Sequence, residues 1–163
     1  MRKIAAIIFL LGTALISIAK SYQFDVKHPY NVQVVRVAQQ GTKFYKVWSE
    51  ASSVDKAIIG ALQDAIAASL FTGIQGNENV GSVPPICGSF KVYENNRDYF
   101  DKFFKKGEFL QYVSNVNSQY PSGENNVRTS KGHRVSLYVQ VQYDALRRKL
   151  EIDGIIKGIN DYF

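Results

Sequence analysis

The sequence is poor in the residues that usually carry chemistry. It holds one cysteine, Cys87, and two histidines, His28 and His133. A lone cysteine closes no intrachain disulfide, so the fold must be held by its core and not by covalent staples. Two histidines outside any Cys/His cluster match none of the usual zinc spacings, and no metal ligand set or cofactor is expected. Gly73, Gly76 and Gly81 are too irregular for a phosphate-binding loop, and no lysine follows in the required place. The carboxylates are scattered. Asp98 and Asp101 share a helix face, but a favourable position in the first turn accounts for both. The chain therefore reads as non-enzymatic.

No apolar run reaches the roughly 20 residues that span a bilayer. The longest, Ile4 to Ile18, is broken by Gly12, Thr13 and Ser17. It follows a positive Met1-Arg2-Lys3 and precedes two small-residue exits, Ser17-Ile18-Ala19 and Ala19-Lys20-Ser21. That pattern is a signal peptide over 1–21, leaving 22–163 as a single domain with no stable membrane span after cleavage. The expected location is periplasmic or extracellular. Losing Arg2, Lys3 and Lys20 lowers the formal charge from +6 by three, to +3. A surplus that small is no nucleic-acid footprint, which needs basic residues clustered on one face.

What the mature chain does contain is alternation and helical periodicity. Tyr22 to Tyr30 reads as a short extended segment ended by His28-Pro29. Asn31 to Gln39 and Thr42 to Trp48 read as a hairpin turning at Gln40-Gly41, with Phe44, Lys46 and Trp48 on one face and Lys43, Tyr45 and Val47 on the other. Ser52 and Asp55 have the spacing of a capping box. Behind them Val54, Ala57, Ile58, Ala61, Leu62, Ala65, Ile66 and Leu70 recur at helical spacing until Gly73. An alanine-rich stripe lets such a helix lie close across a sheet. Gln75 to Pro85 is a Gly/Asn/Pro-rich loop, and Ile86 to Tyr93 alternates as a strand.

Asn96 is placed to cap a helix over Arg97 to Lys106, stopped by Gly107, with Tyr99, Phe100, Phe103 and Phe104 as its apolar face. Glu108 to Asn117 fits either a strand or a further helical turn, and Ser118 to Lys131 is a polar loop. His133 to Tyr143 is the clearest strand: Val135, Leu137, Val139, Val141 and Tyr143 point one way, and Arg134, Ser136, Tyr138, Gln140 and Gln142 the other. Asp144 is placed to cap a closing helix through Leu150, with Arg147, Arg148 and Lys149 solvated, and Asp161-Tyr162-Phe163 is a tail packed on the core. The predicted class is α+β: one antiparallel or mixed sheet of about four to five strands with helices packed on one face.

Two features invite a functional reading. The polar face of the last strand carries Arg134, Ser136, Tyr138 and Gln140, a flat set of tyrosine, amide and hydroxyl groups able to take a glycan or a peptide. Cys87 sits in Pro84-Pro85-Ile86-Cys87-Gly88, where a free thiol acts as a small apolar filler. In an oxidising compartment it is also a possible interchain thiol, and paired with His133 it would make a secreted hydrolase.

The segment from Asp98 to Val113, with Phe103-Phe104, Gly107, Phe109, Tyr112 and Val113, resembles the "FF…G-x-(aromatic)-x-x-(aromatic)-V" stretch of a family of uncharacterised, signal-bearing bacterial envelope proteins. Asp144 to Ile159, with Leu146-Arg147, Leu150-Glu151 and Gly154-Ile155-Ile156-Lys157, resembles that family's C-terminal segment, and the helix from Ala57 to Leu70 fits as well. A looser likeness runs to the helix-across-sheet domains of periplasmic flagellar-ring and LPP20-type lipoproteins, although the lipid-anchoring cysteine of such proteins is missing here. The resemblance implies an exported binding or assembly component whose partners are other envelope proteins or further copies of itself. It supplies no catalytic residue.

Overall fold

The computed structural model describes residues 21–26, 30–37, 41–117 and 119–158; the leader residues 1–20, His28-Pro29, Gln40 and the Asp161-Tyr162-Phe163 tail lie outside them. The valine-rich start forms strand β1 (Asn31–Val37), which pairs antiparallel with β2 (Lys43–Ala51). The expected hairpin is present, and its one irregular step is a bulge between Val34 and Arg36 that leaves Val35 on the surface. Tyr45 and Val47 of β2 are fully buried, while Phe44, Lys46 and Trp48 occupy the opposite face.

Helix α1 (Val54–Ala67) crosses the buried face of the sheet against β2 and β5 (Gly132–Val141). Its alanines bring it close: a Cβ added to Gly60 would stand 2.6 Å from Ser49 Oγ. The N-cap is Ser53, one residue later than the Ser52 of the expected capping box. Ser53 is extended and its Oγ accepts from Lys56 N, while Ser52 Oγ accepts from Lys56 Nζ. The helix runs on through a π turn, Ala68–Thr72, before Gly73 closes it at φ +67° with its amide on Ala68 O.

That π turn explains why Ile86 to Tyr93 is not a strand. The amides of Ile86 and Cys87 donate to Ser69 O and Leu70 O at 2.9 Å each, satisfying carbonyls orphaned at the helix end. Backbone committed to capping has nothing left for a ladder, and Lys91–Asn95 winds up as helix α2. Tyr93 then packs edge-on against Phe71, 5.3 Å between centroids. Helix α3 (Arg97–Lys105) buries Phe100, Phe103 and Phe104, with Tyr99 half-buried, and Gly107 ends it at φ +77°. Asn96 occupies the N-cap, but its side chain donates to Val92 O instead of capping. Phe24 from the chain's start stacks on Phe104, 3.6 Å between centroids, and Tyr22 N donates to Lys105 O.

The ambiguous stretch resolves into both readings, a 3-10 turn over Glu108–Gln111 and then strand β3 (Val113–Asn115). The polar loop expected over Ser118 to Lys131 contains a strand, β4 (Asn126–Thr129), reached through a 3-10 turn at Gly123–Asn125. Both β3 and β4 pair antiparallel with one edge of β5, β3 beside Val139 to Val141 and β4 beside Gly132 to Val135. β2 covers the other edge along its whole length. The result is a single open antiparallel sheet of five strands in an α+β arrangement, ordered β1-β2-β5-β3 with β4 also on β5.

Closing helix α4 (Tyr143–Ile152) has Gln142, not Asp144, at its N-cap. Asp144 instead donates its amide to Gly41 O at 3.1 Å, tying the helix to the first hairpin turn. Leu146 and Leu150 are buried. Of the three basic residues expected to be solvated, Arg148 is exposed, but Arg147 pairs with Glu151 and Lys149 with Asp153.

Candidate functional site

Helices cover one face of the sheet. The other face exposes a row of residues that alternation dictates and register assembles. Along β5, Val135, Leu137, Val139 and Val141 are buried, so Arg134, Ser136, Tyr138 and Gln140 lie on the open side as expected. Register sets Trp48 opposite Ser136, Lys46 opposite Tyr138 and Phe44 opposite Gln140. On the next strand, Gln33 faces Lys46 and Arg36 faces Phe44.

Two of the cations on this face are held by aromatic rings. Lys46 Nζ sits 5.2 Å from the Trp48 ring centroid and 5.4 Å from that of Tyr138. The Arg36 guanidinium lies 4.5 Å from the centre of Phe44. Such contacts are worth about 0.5–1 kcal/mol at exposed sites, enough to hold a long side chain in one place without neutralising it. Arg36, Lys46 and Arg134 form no ion pair among the described residues. The nearby Glu50 accepts a hydrogen bond from Thr129. Tyr138 remains 39% exposed although it is large and lies in the middle of a rigid sheet.

Beside Tyr138 is a small niche of about 70 Å³, formed where β3 and β4 leave part of the β5 edge uncovered. Val116 N donates to Tyr138 O at 2.8 Å and brings the connecting loop in. Asn115, Asn117, Gln119, Asn125 and Ser136 line the niche with carboxamides and a hydroxyl. Ser136 is 9% exposed, and its Oγ donates to Asn125 Oδ1 at 2.5 Å. Amides and hydroxyls both donate and accept, so this wall suits a partner with the same dual character.

Cys87 lies elsewhere, on the helix side. It is 7% exposed, and burial pushes its thiol up to about 12, far from the thiolate that a nucleophile or a disulfide exchange requires. His133 Nδ1 is 3.0 Å from Asn126 Oδ1, a contact within the sheet. No hydrogen bond joins Cys87 and His133 among the described residues. Interchain pairing through Cys87 would require its segment to open first. A wide cleft of about 1110 Å³ runs between residues 21–25, the end of β2 and α1 as far as Asp64. Its lining sets Asp25, Glu50, Asp55 and the buried Asp64 against Lys56 and Lys105, an excess of carboxylates over lysines.

Among the described residues, no helix is long and apolar enough to cross a membrane, and no group of three or more His, Cys, Asp or Glu could hold a metal ion. Comparison with family models, with curated proteins and with solved structures gives no match to this chain.

Alternation along β5 marks Arg134, Ser136, Tyr138 and Gln140 as one face but does not reveal the partners that complete it. Phe44, Lys46 and Trp48 were legible as a set from their own alternation. Nothing in the sequence sets the β2–β5 register that brings Lys46 to Tyr138.

Proposed function

We propose that this chain is an exported, non-catalytic protein of the cell envelope that works by binding, through the open face of its sheet. The observation that carries this reading is the pair of cations, Arg36 and Lys46, that form no ion pair among the described residues and lie against the rings of Phe44, Trp48 and Tyr138, of which Tyr138 is exposed. A monomer gains nothing from concentrating unpaired charge and large aromatics on one rigid surface; a partner does. The basic-apolar-small pattern of residues 1–21 supports export, and the resemblance to signal-bearing envelope proteins points the same way. The buried, raised-pKa Cys87 is a poor basis for the alternative of a secreted hydrolase.

Two measurements test the reading. N-terminal sequencing of native material is expected to begin near Tyr22, with the protein in a periplasmic or extracellular fraction; an intact Met1 in the cytosol overturns export. In a pelleting assay with isolated envelope fragments, Lys46→Gln and Tyr138→Ala are each expected to lower retention at unchanged thermal midpoint. Retention equal to wild type in both variants overturns the role of this face.

A further inference from the structure

We infer that the ligand of the open face is a carboxylated polysaccharide, a uronic-acid type of glycan strand. This rests on the reading of that face as the binding surface and adds the class of ligand. The first argument is charge. Lys46 stands between two rings and forms no ion pair among the described residues. Arg36 lies over Phe44 beside it, while Arg134 is farther along β5, opposite Glu50. Cations held in this way are ready for carboxylates without losing much side-chain freedom on binding.

The second argument is the polar wall. Asn115, Asn117, Gln119, Asn125 and Ser136 line the niche beside Tyr138. The Asn115 side chain donates to Gln119 O and accepts from Asn117 N, and Ser136 donates to Asn125. The exposed carboxamides of Asn117 and Gln119 are therefore the groups that match sugar hydroxyls. A bare polyanion would have no use for them. The third argument separates glycans from single-stranded nucleic acid, the other polymer that aromatic and basic residues on a sheet can bind. Base stacking needs free ring faces, whereas Lys46 Nζ already lies over both Trp48 and Tyr138. A stacked base must displace that lysine; a carboxylate meets it where it stands.

Trp48 is the only tryptophan in the chain, so its emission reports directly on the face. Titration of the mature protein with polygalacturonate oligosaccharides is expected to shift Trp48 emission. The fully methyl-esterified oligosaccharide, with the same sugars and no charge, is expected to bind at least tenfold more weakly. Lys46→Gln should weaken polygalacturonate binding about tenfold with the fold intact by circular dichroism. The inference is overturned if polygalacturonate does not bind, if the ester binds equally well, or if poly-dT of matched length binds more tightly. Should any of these occur while Lys46→Gln and Tyr138→Ala still lower envelope retention, the ligand class is wrong and the face remains the binding surface. Should retention also be unaffected, both readings fall.

Discussion

Tyr45 of β2 and Ser69 of the π turn meet in the centre of the core, with their hydroxyls 3.1 Å apart and both residues fully buried. Ser69 Oγ also donates to Ala65 O at 2.8 Å. A serine hydroxyl has one proton, so with that proton on the carbonyl it is the phenol that donates across the sheet–helix interface. The pair locks the end of the first helix onto the strand that presents Phe44, Lys46 and Trp48 on its other side.

Ser69→Ala strands a buried phenol and is expected to cost about 1–3 kcal/mol. Tyr45→Phe leaves Ser69 still bonded to Ala65 O and is expected to cost less, about 1 kcal/mol. The double variant should lose less than the two singles together, because the same interaction is removed twice. Urea unfolding followed by Trp48 emission measures all three. If Tyr45→Phe proved the more costly single change, the donor assignment would be reversed.

Alkaline pH should weaken the fold through Cys87 first. Its thiol is pushed up to about 12 by burial, against about 8.5 in an unfolded chain. A folded pKa above the unfolded value means the stabilisation is complete below about pH 8.5 and is lost as pH rises toward 12. The slope contributed by one such group reaches about 1.4 kcal/mol per pH unit. Tyr45, whose phenol burial also pushes upward, adds to the loss above about pH 10. Urea midpoints at pH 8, 9 and 10 should therefore fall in the wild type and fall less in Cys87→Ala between pH 9 and 10. Equal slopes in the two proteins would show that Cys87 is ionisable in the native state.

Gly132 opens β5 at φ +131°, and a Cβ there would stand 2.3 Å from Ala51 O and 2.7 Å from Ser52 Cα. Both contacts are backbone, at the junction between β2 and the first helix, and cannot swing aside. Gly132→Ala is expected to destabilise by about 1–3 kcal/mol from its backbone conformation, with the clash adding to it. Gly81→Ala, whose Cβ would meet nothing within 4 Å, is the control and should be near neutral. A thermal melt that ranked the two equally would contradict this geometry.

The elements readable from sequence were those whose periodicity is set by one buried face. The Val135–Val141 alternation fixed β5, and the alanine stripe fixed the first helix, because in both the core demands one residue type at one spacing. Caps were legible only in part: Ser53 serves where Ser52 was expected, since either serine can turn its hydroxyl to the helix amides, but Gln142 stands two residues before the expected Asp144. Ile86 to Tyr93 misled because Phe90 and Val92 alternate, yet the amides of Ile86 and Cys87 were claimed by the carbonyls of Ser69 and Leu70. Asn126–Thr129 was invisible as a strand because it is polar and short. Its partner's open edge, not its own composition, makes it pair.

Composition and periodicity alone settled the α+β class and put Arg134, Ser136, Tyr138 and Gln140 on the outward side of their strand, because side chains must alternate across a pleated backbone. Tertiary structure alone decided that Lys46 would stand between Trp48 and Tyr138, and that carboxamides from a distant loop would wall in the same tyrosine. Those neighbours belong to separate stretches of chain. Only the hydrogen-bond register between strands, fixed when the whole sheet closes over one core, brings them side by side.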